Sequence, residues 1–325
     1  MKKRLFLFIR ILVSLSLIVL LFWMMRDKLG RIANALINAN LAYLLLGFLV
    51  YVFAVVIMGL RLQKVLSVQG VGLSAKESVF LCFLGFFFNN FLPTSIGGDV
   101  VKAYYAGKKS NKKASAFSGV FMDRLFAMLP FTFLPACALL FAHDKISNPH
   151  IIYVIIFLFI ATSVILFILL NEKTAKKFRF ILRPVRGKRV YDKITGVYAS
   201  LNVYKHHAGV LLVTFLFSII SQSLFIISVF IWGLSLGVNY VGLGVYFIMV
   251  PIIGVVSMIP SINGLGIREA GAVYLLKSYM GADTAFALSM IILASLIGLS
   301  LIGGAIYMFK KEIYDFDQKK QGEMA

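Results

Sequence analysis

The segment Asn89-Asn90-Phe91-Leu92-Pro93-Thr94-Ser95-Ile96-Gly97-Gly98-Asp99-Val100-Val101-Lys102 interrupts a hydrophobic stretch where a plain membrane span would continue. A second interruption, Ile259-Pro260-Ser261-Ile262-Asn263-Gly264-Leu265-Gly266-Ile267-Arg268-Glu269, comes late in the chain. Each has a proline, then Thr or Ser, then a glycine, and each goes on to a carboxylate, Asp99 in the first and Glu269 in the second. Pro93 and Pro260 lie 167 positions apart, about half the chain. Two similar broken helices, one in each half, mark a transporter-type binding site near the membrane midplane.

The rest of the chain supplies the membrane. Of its 325 residues 60% are hydrophobic, and the mean hydropathy of +0.92 is that of an integral membrane protein. Apolar runs long enough to span fall at about 5–25, 41–60, 115–141, 151–170, 211–236 and 284–309. The broken regions, about 79–107 and 240–281, lie between them. The runs are continuous rather than short and alternating, so helices are expected and a β-barrel is not. Lys2, Lys3 and Arg4 imitate a signal peptide, but the run after them reaches Arg26 with no small-residue cleavage site and predicts a retained first helix.

Charge sets the expected orientation. With a cytoplasmic N-terminus and each broken region entering and leaving on one side, 26 of the 33 lysines and arginines fall on cytoplasmic segments. Arg61 is counted among these. Only Arg26, Lys28, Arg31 and Lys145 fall outside, and Arg124, Arg268 and Lys277 remain within hydrophobic segments. The net charge of +20 is therefore the signature of cytoplasmic loops and of contact with anionic lipid headgroups, not of nucleic-acid binding. The basic stretch 171–209 carries Lys173 to Arg183 in an order that suits either an amphipathic interfacial helix or a solvated loop.

Spacing suggests duplication. The runs starting at 41 and 211 differ by 170 positions and those at 115 and 284 by 169, close to the offset of the prolines. The expected fold is an all-α polytopic membrane protein of two inverted repeats, with about six full crossings plus two re-entrant broken-helix hairpins. Repeat one covers about 1–145 and repeat two about 150–310, within a single transmembrane domain. Both termini are expected in the cytoplasm of a plasma-membrane protein.

The chemistry is expected at the breaks. Irregular backbone inside a bilayer is tolerated only against protein or a water-filled cavity. Gly97-Gly98 and Gly264-x-Gly266 allow a tight turn and close approach to a ligand, or else close packing between hairpin arms. A helix restarting near Gly98, and another near Leu265, would aim free N–H groups at an anion such as a phosphate, with Lys102 one turn further on. Asp123-Arg124 sits in an otherwise apolar helix. Neighbours on a helix point about 100° apart, so each needs another partner, and Asp99 and Glu269 are the obvious ones. Arg124 and Arg268 are expected to bind an anionic headgroup while Asp99, Asp123 and Glu269 position them or carry protons. A purely structural network of buried charges is the alternative.

Metal, cofactor and catalytic chemistry find no support. Cys82 and Cys137 lie in apolar runs without metal-ligand spacing, and His143, His150, His206 and His207 fall in predicted loops. Hydrolase, metalloprotease and phosphate-binding-loop motifs are missing, so neither an enzyme nor a nucleotide-driven pump is expected. The 30 phenylalanines and 14 tyrosines suit lipid-facing and interfacial surfaces.

At the motifs Asn90-x-Leu92-Pro93-x-x-x-Gly97-Gly98-Asp99-x-x-Lys102, Asp123-Arg124 and Pro260-x-x-Asn263-Gly264-Leu265-Gly266-x-Arg268-Glu269, the chain resembles the flippase-like transmembrane domain of the lysylphosphatidylglycerol synthase family. The likeness covers nearly the whole chain. Family members often carry Arg where Lys102 stands, which keeps a cation but not a bidentate fork. Bifunctional members continue into a soluble aminoacyltransferase domain, whereas this chain ends at Ala325. The resemblance therefore implies translocation of an anionic phospholipid or lipid-linked phosphate without lipid aminoacylation. Anionic membrane lipids are the expected partners, with a homo-oligomer or a separate lipid-modifying enzyme as further ones. A secondary transporter of a small soluble anion and a non-transporting scaffold are the competing functions. A laterally open groove would favour lipid, and a closed central cavity a solute.

Overall fold

A computed structural model describes residues 29–91, 97–146, 148–170, 203–204, 207–258 and 264–322. The retained first helix and most of the basic stretch 171–209 lie outside these residues, as do Pro93, Pro260 and Asn263. The described residues are helical without strands: an all-α polytopic membrane protein. In chain order the helices are α1 (Leu29–Ile37), α2 (Leu41–Val68), α3 (Ala75–Phe91), α4 (Gly97–Ser110), α5 (Lys113–Met128) and α6 (Pro130–Ala142). After a short 3-10 turn follow α7 (His150–Leu170), α8 (Ala208–Ser235), α9 (Leu243–Val256), α10 (Ile267–Met280) and α11 (Ala282–Gly322).

Four stretches are long and apolar enough to cross a bilayer: Leu41–Val68, Lys113–Lys145, Ala208–Ser235 and Ala282–Met308. The second joins α5 and α6, with Pro130 in the first turn of α6, where its missing N–H costs nothing, and Pro135 inside. Local signals set the starts of the others. Asn40 caps α2 through Oδ1, which accepts from the amides of Ala42 (2.9 Å) and Tyr43 (3.3 Å). Ser74 and Glu77 form a capping box at the start of α3, the Ser74 amide donating to Glu77 Oε2 (2.9 Å) and the Glu77 amide to Ser74 Oγ (3.3 Å). The short helix α1, expected as plain external loop, is amphipathic: Ile32 is buried against Val273, Phe286 and Ala287 while Ile37 is exposed.

The core is an antiparallel pair, α2 and α8. The Asn40 amide donates to the Ser235 carbonyl (2.9 Å) and Trp232 Nε1 to Leu44 O (3.2 Å), so the start of α2 lies against the end of α8. Near the opposite end, Arg61 of α2 meets Ser218 of α8. Tyr51 fills the middle, its ring 4.9 Å from Phe225 and 6.0 Å from Trp232. Lipid is as apolar as leucine, so this interlocking and the few interhelical hydrogen bonds hold the pair, not hydrophobic expulsion.

Around that pair the neighbours match. α2 packs on α3 and α8 on α9; α4 packs on α5 and α10 on α11; α3 lies along α11 and α9 along α6. Helices about 170 positions apart thus have corresponding neighbours, and the central two run in opposite directions. The broken regions are helical hairpins. The 17 residues of α3 and the 14 of α4 make arms of about 26 and 21 Å, short of a hydrocarbon core of about 30 Å. At one end Lys109 bonds Glu77; at the other the Gly98 amide meets Asn89. Both outer ends of this hairpin therefore lie together, as do both inner ends. Helices α9 and α10, each of 14 residues, pair in the same way.

Candidate functional site

The inner end of the α3–α4 hairpin gathers charge. Asp99, in the first turn of α4, accepts from Lys102 Nζ at Oδ1 (3.1 Å) and from Arg124 Nη1 at Oδ2 (2.6 Å). One carboxylate thus holds two cations, one from its own helix and one from α5. Lys102 is buried, whereas the Arg124 side chain is 32% exposed. Of the partners expected for Arg124, Asp99 is the one found.

Asp123 has a different partner from those expected. It faces α2, where the Arg61 guanidinium forks onto it: Nε to Oδ1 at 2.7 Å and Nη2 to Oδ2 at 3.2 Å. Nη1 of the same arginine approaches Ser218 Oγ on α8 at 3.4 Å. Arg61, expected on a cytoplasmic segment beyond the apolar run, lies within α2 and is only 3% exposed. It stands seven residues before the end of a 28-residue helix of about 42 Å. The signal available was the helical spacing of Leu62, Val65 and Leu66 beyond Arg61, all three buried. The two ion pairs are neighbours. Cys82 of α3 is buried within electrostatic reach of Arg61, Asp123, Lys102 and Asp99.

In the second hairpin Arg268 and Glu269 bond each other, although they are adjacent: Nε and Nη2 reach Glu269 Oε1 at 3.1 and 2.5 Å. This works because Glu269 turns back at the helix start, its Oε2 accepting from the Gly266 amide at 2.6 Å. Gly264 and Gly266 have φ of +77° and +81°, a region L side chains rarely enter, so the glycines here serve the turn. Lys277, expected within a hydrophobic segment, is exposed in the last turn of α10 with Nζ 5.2 Å over the Tyr274 ring.

At each helix start one amide is already taken within the protein. The Gly98 N–H donates to Asn89 Oδ1 (2.7 Å) and the Gly266 N–H to Glu269, so each is satisfied within the protein. Gly97 and Gly98 are buried. A Cβ on Gly98 would fall 2.2 Å from the Gly85 carbonyl oxygen, so this glycine admits the backbone of α3 rather than a ligand. Asn90, half-buried, points its amide at Leu296 O of α11 (3.5 Å). The charged side chains gathered at this end are Arg124 and Lys102, both on Asp99. Among the described residues no cluster of His, Cys, Asp and Glu could hold a metal ion, and both cysteines are free thiols.

These features have relatives. The sequence model of the lysylphosphatidylglycerol synthase transmembrane region matches residues 7–304. A UPF0104 membrane protein of Pyrococcus horikoshii is 25% identical over 344 aligned positions, covering 96% of this chain and 98% of that protein. A second, from Methanothermobacter thermautotrophicus, is 26% identical, covering 87% of this chain and 88% of its own. The match runs through both hairpins and through α2 and α5, which carry Arg61 and Asp123-Arg124. The chain belongs to the lysylphosphatidylglycerol synthase transmembrane-region family.

Proposed function

We propose that the protein carries the headgroup of an anionic phospholipid, or of a lipid-linked phosphate, between the leaflets of the plasma membrane, with both termini cytoplasmic. One observation carries this reading: Arg124 opens sideways. Phe117, Phe121 and Arg124 stand at i, i+4 and i+7 on α5, hence on one face, and both phenylalanines are exposed. Val100 and Tyr104 of α4, the helix packed on α5, are exposed apolar residues as well. A cation at membrane depth beside a surface that suits only acyl chains fits a lipid, whose headgroup meets the arginine while its tails stay in the bilayer. A soluble anion would need a cavity walled off from that surface.

In this reading the hairpins enter from opposite leaflets, which the antiparallel α2–α8 pair and the matched neighbours support. Buried ion pairs at their inner ends keep charged groups satisfied inside hydrocarbon, and Asp99 gives Arg124 a partner that an arriving phosphate can replace. The reading is transport rather than catalysis. It runs downhill or on an ion gradient, and a homo-oligomer or a lipid-modifying enzyme would be its partner.

The test uses phosphatidylcholine vesicles containing the purified protein and a trace of fluorescent phosphatidylglycerol, with dithionite bleaching the outer leaflet. Bleaching should pass well beyond the outer half of the label with the native protein and stop at half with Arg124→Met. Equal bleaching with both proteins overturns the reading. Uptake of radiolabelled inorganic phosphate without lipid movement would point instead to a solute transporter.

A further inference from the structure

We propose that Arg61 is a positioning residue for the lipid site, although it does not touch the site itself; the proposal rests on the lipid reading above. Its fork occupies both oxygens of Asp123, so it fixes not only the distance between α2 and α5 but also the rotation of α5 about its own axis. Arg124 is the next residue. The 100° between neighbours on a helix means that holding Asp123 toward α2 turns Arg124 toward Asp99 and onto the face of the exposed phenylalanines. A single hydrogen bond would allow α5 to swivel. A planar fork on two oxygens does not.

The anchor also sits on the central helix pair: Arg61 belongs to α2 and its remaining nitrogen approaches Ser218 of α8, so α5 is referenced to the pair about which the rest of the fold is arranged. Lysine at this position would keep the charge but not the fork. Apolar residues at both positions would keep the packing but neither the charge nor the aim. Position and stability are therefore separable by substitution.

The experiment compares four proteins: native, Arg124→Met, Arg61→Lys, and the double variant Arg61→Met with Asp123→Leu. Each is measured for melting temperature and for affinity toward fluorescent phosphatidylglycerol in detergent micelles. The double variant should melt within a few degrees of the native protein and yet bind at least tenfold more weakly, as Arg124→Met does. Arg61→Lys should fold and also lose affinity. If Arg124→Met binds like the native protein, the lipid reading itself fails. If Arg124→Met loses affinity while the double variant keeps it, the lipid reading stands and the positioning role is overturned. Should the double variant fail to fold, Arg61→Lys decides alone: folded with native affinity, it overturns the proposal.

Discussion

Asp123 and Arg124 are consecutive residues that serve different parts of the molecule: Asp123 is held by Arg61 at 2.7 and 3.2 Å, while Arg124 reaches Asp99 at 2.6 Å. The first pair is buried and joins α5 to the central helices. The second is partly exposed and joins α5 to the inner end of a hairpin. Charge at the centre of the fold thus divides into a structural and an accessible half, although both come from one dipeptide.

The two arginines first expected to act alike should therefore differ. Arg268→Ala strands Glu269, which is 3% exposed, and removing one partner of a buried pair costs about 3–5 kcal/mol. Its main effect should be a large fall in melting temperature. Arg124→Ala leaves Asp99 still paired with Lys102, so the fold should hold while lipid translocation is lost. Thermal unfolding alongside vesicle translocation separates the two. Equal thermal losses would contradict the division.

Much of the fold was legible because membrane helices announce themselves by apolar length, and the hairpins by Pro and Gly where no span should break. The ion pairs were only half legible. Sequence gives the angle between Asp123 and Arg124, hence the need for separate partners, but the choice of Arg61 for Asp123, and of Asp99 rather than Glu269 for Arg124, is tertiary. Arg61 was missed because a charge near the end of an apolar run reads equally well as the start of a loop. Helix α1 was missed because nine residues with Arg31 and Asn34 look polar unless Ile32 and Leu36 are taken together at i, i+4. The roles of Gly98 and Gly266 depend on where Gly85, Asn89 and Glu269 bring their oxygens.

A pH effect is expected at the outer end of the first hairpin. Burial raises the Glu77 carboxyl, but bonds from Lys109 and from the amide and hydroxyl of Ser74 outweigh this and hold it below its ordinary 4.5. A carboxylate lowered in the folded state contributes stability that is present above its ordinary value. That contribution is lost as pH falls through the folded value. Glu77→Gln keeps an oxygen for the Ser74 amide but loses the charge facing Lys109, so it should cost about 0.2–1 kcal/mol at neutral pH and remove the acid-side fall. Urea titrations of both proteins between about pH 3 and 7 check this. Parallel curves would show that Glu77 contributes nothing.

Orientation has its own test. If the hairpins enter from opposite leaflets, a membrane-impermeant maleimide should reach cysteines at Lys76 and Lys112 from one side and at Asn239 and Ser278 from the other. All four positions are exposed, and replacement of Cys82 and Cys137 by Ala gives a silent background. Labelling of all four from one side would remove the inverted arrangement, whatever the protein transports.

The glycines at the two inner ends give the last prediction. At Gly98 a Cβ would meet the Gly85 carbonyl at 2.2 Å and the Asn89 side chain at 2.9 Å, and backbone cannot move aside as a flexible side chain can. Gly98→Val should separate α3 from α4 and cost at least the roughly 1–3 kcal/mol of a typical overpacked core. At Gly266 the difficulty is conformational: φ of +81° costs a residue with a Cβ about 1–2 kcal/mol. Both variants should therefore lose thermal stability, with affinity for phosphatidylglycerol in the surviving folded fraction changed less than by Arg124→Met. A loss of affinity at unchanged melting temperature in Gly98→Val would reverse this assignment and return the hairpin backbone to the binding site.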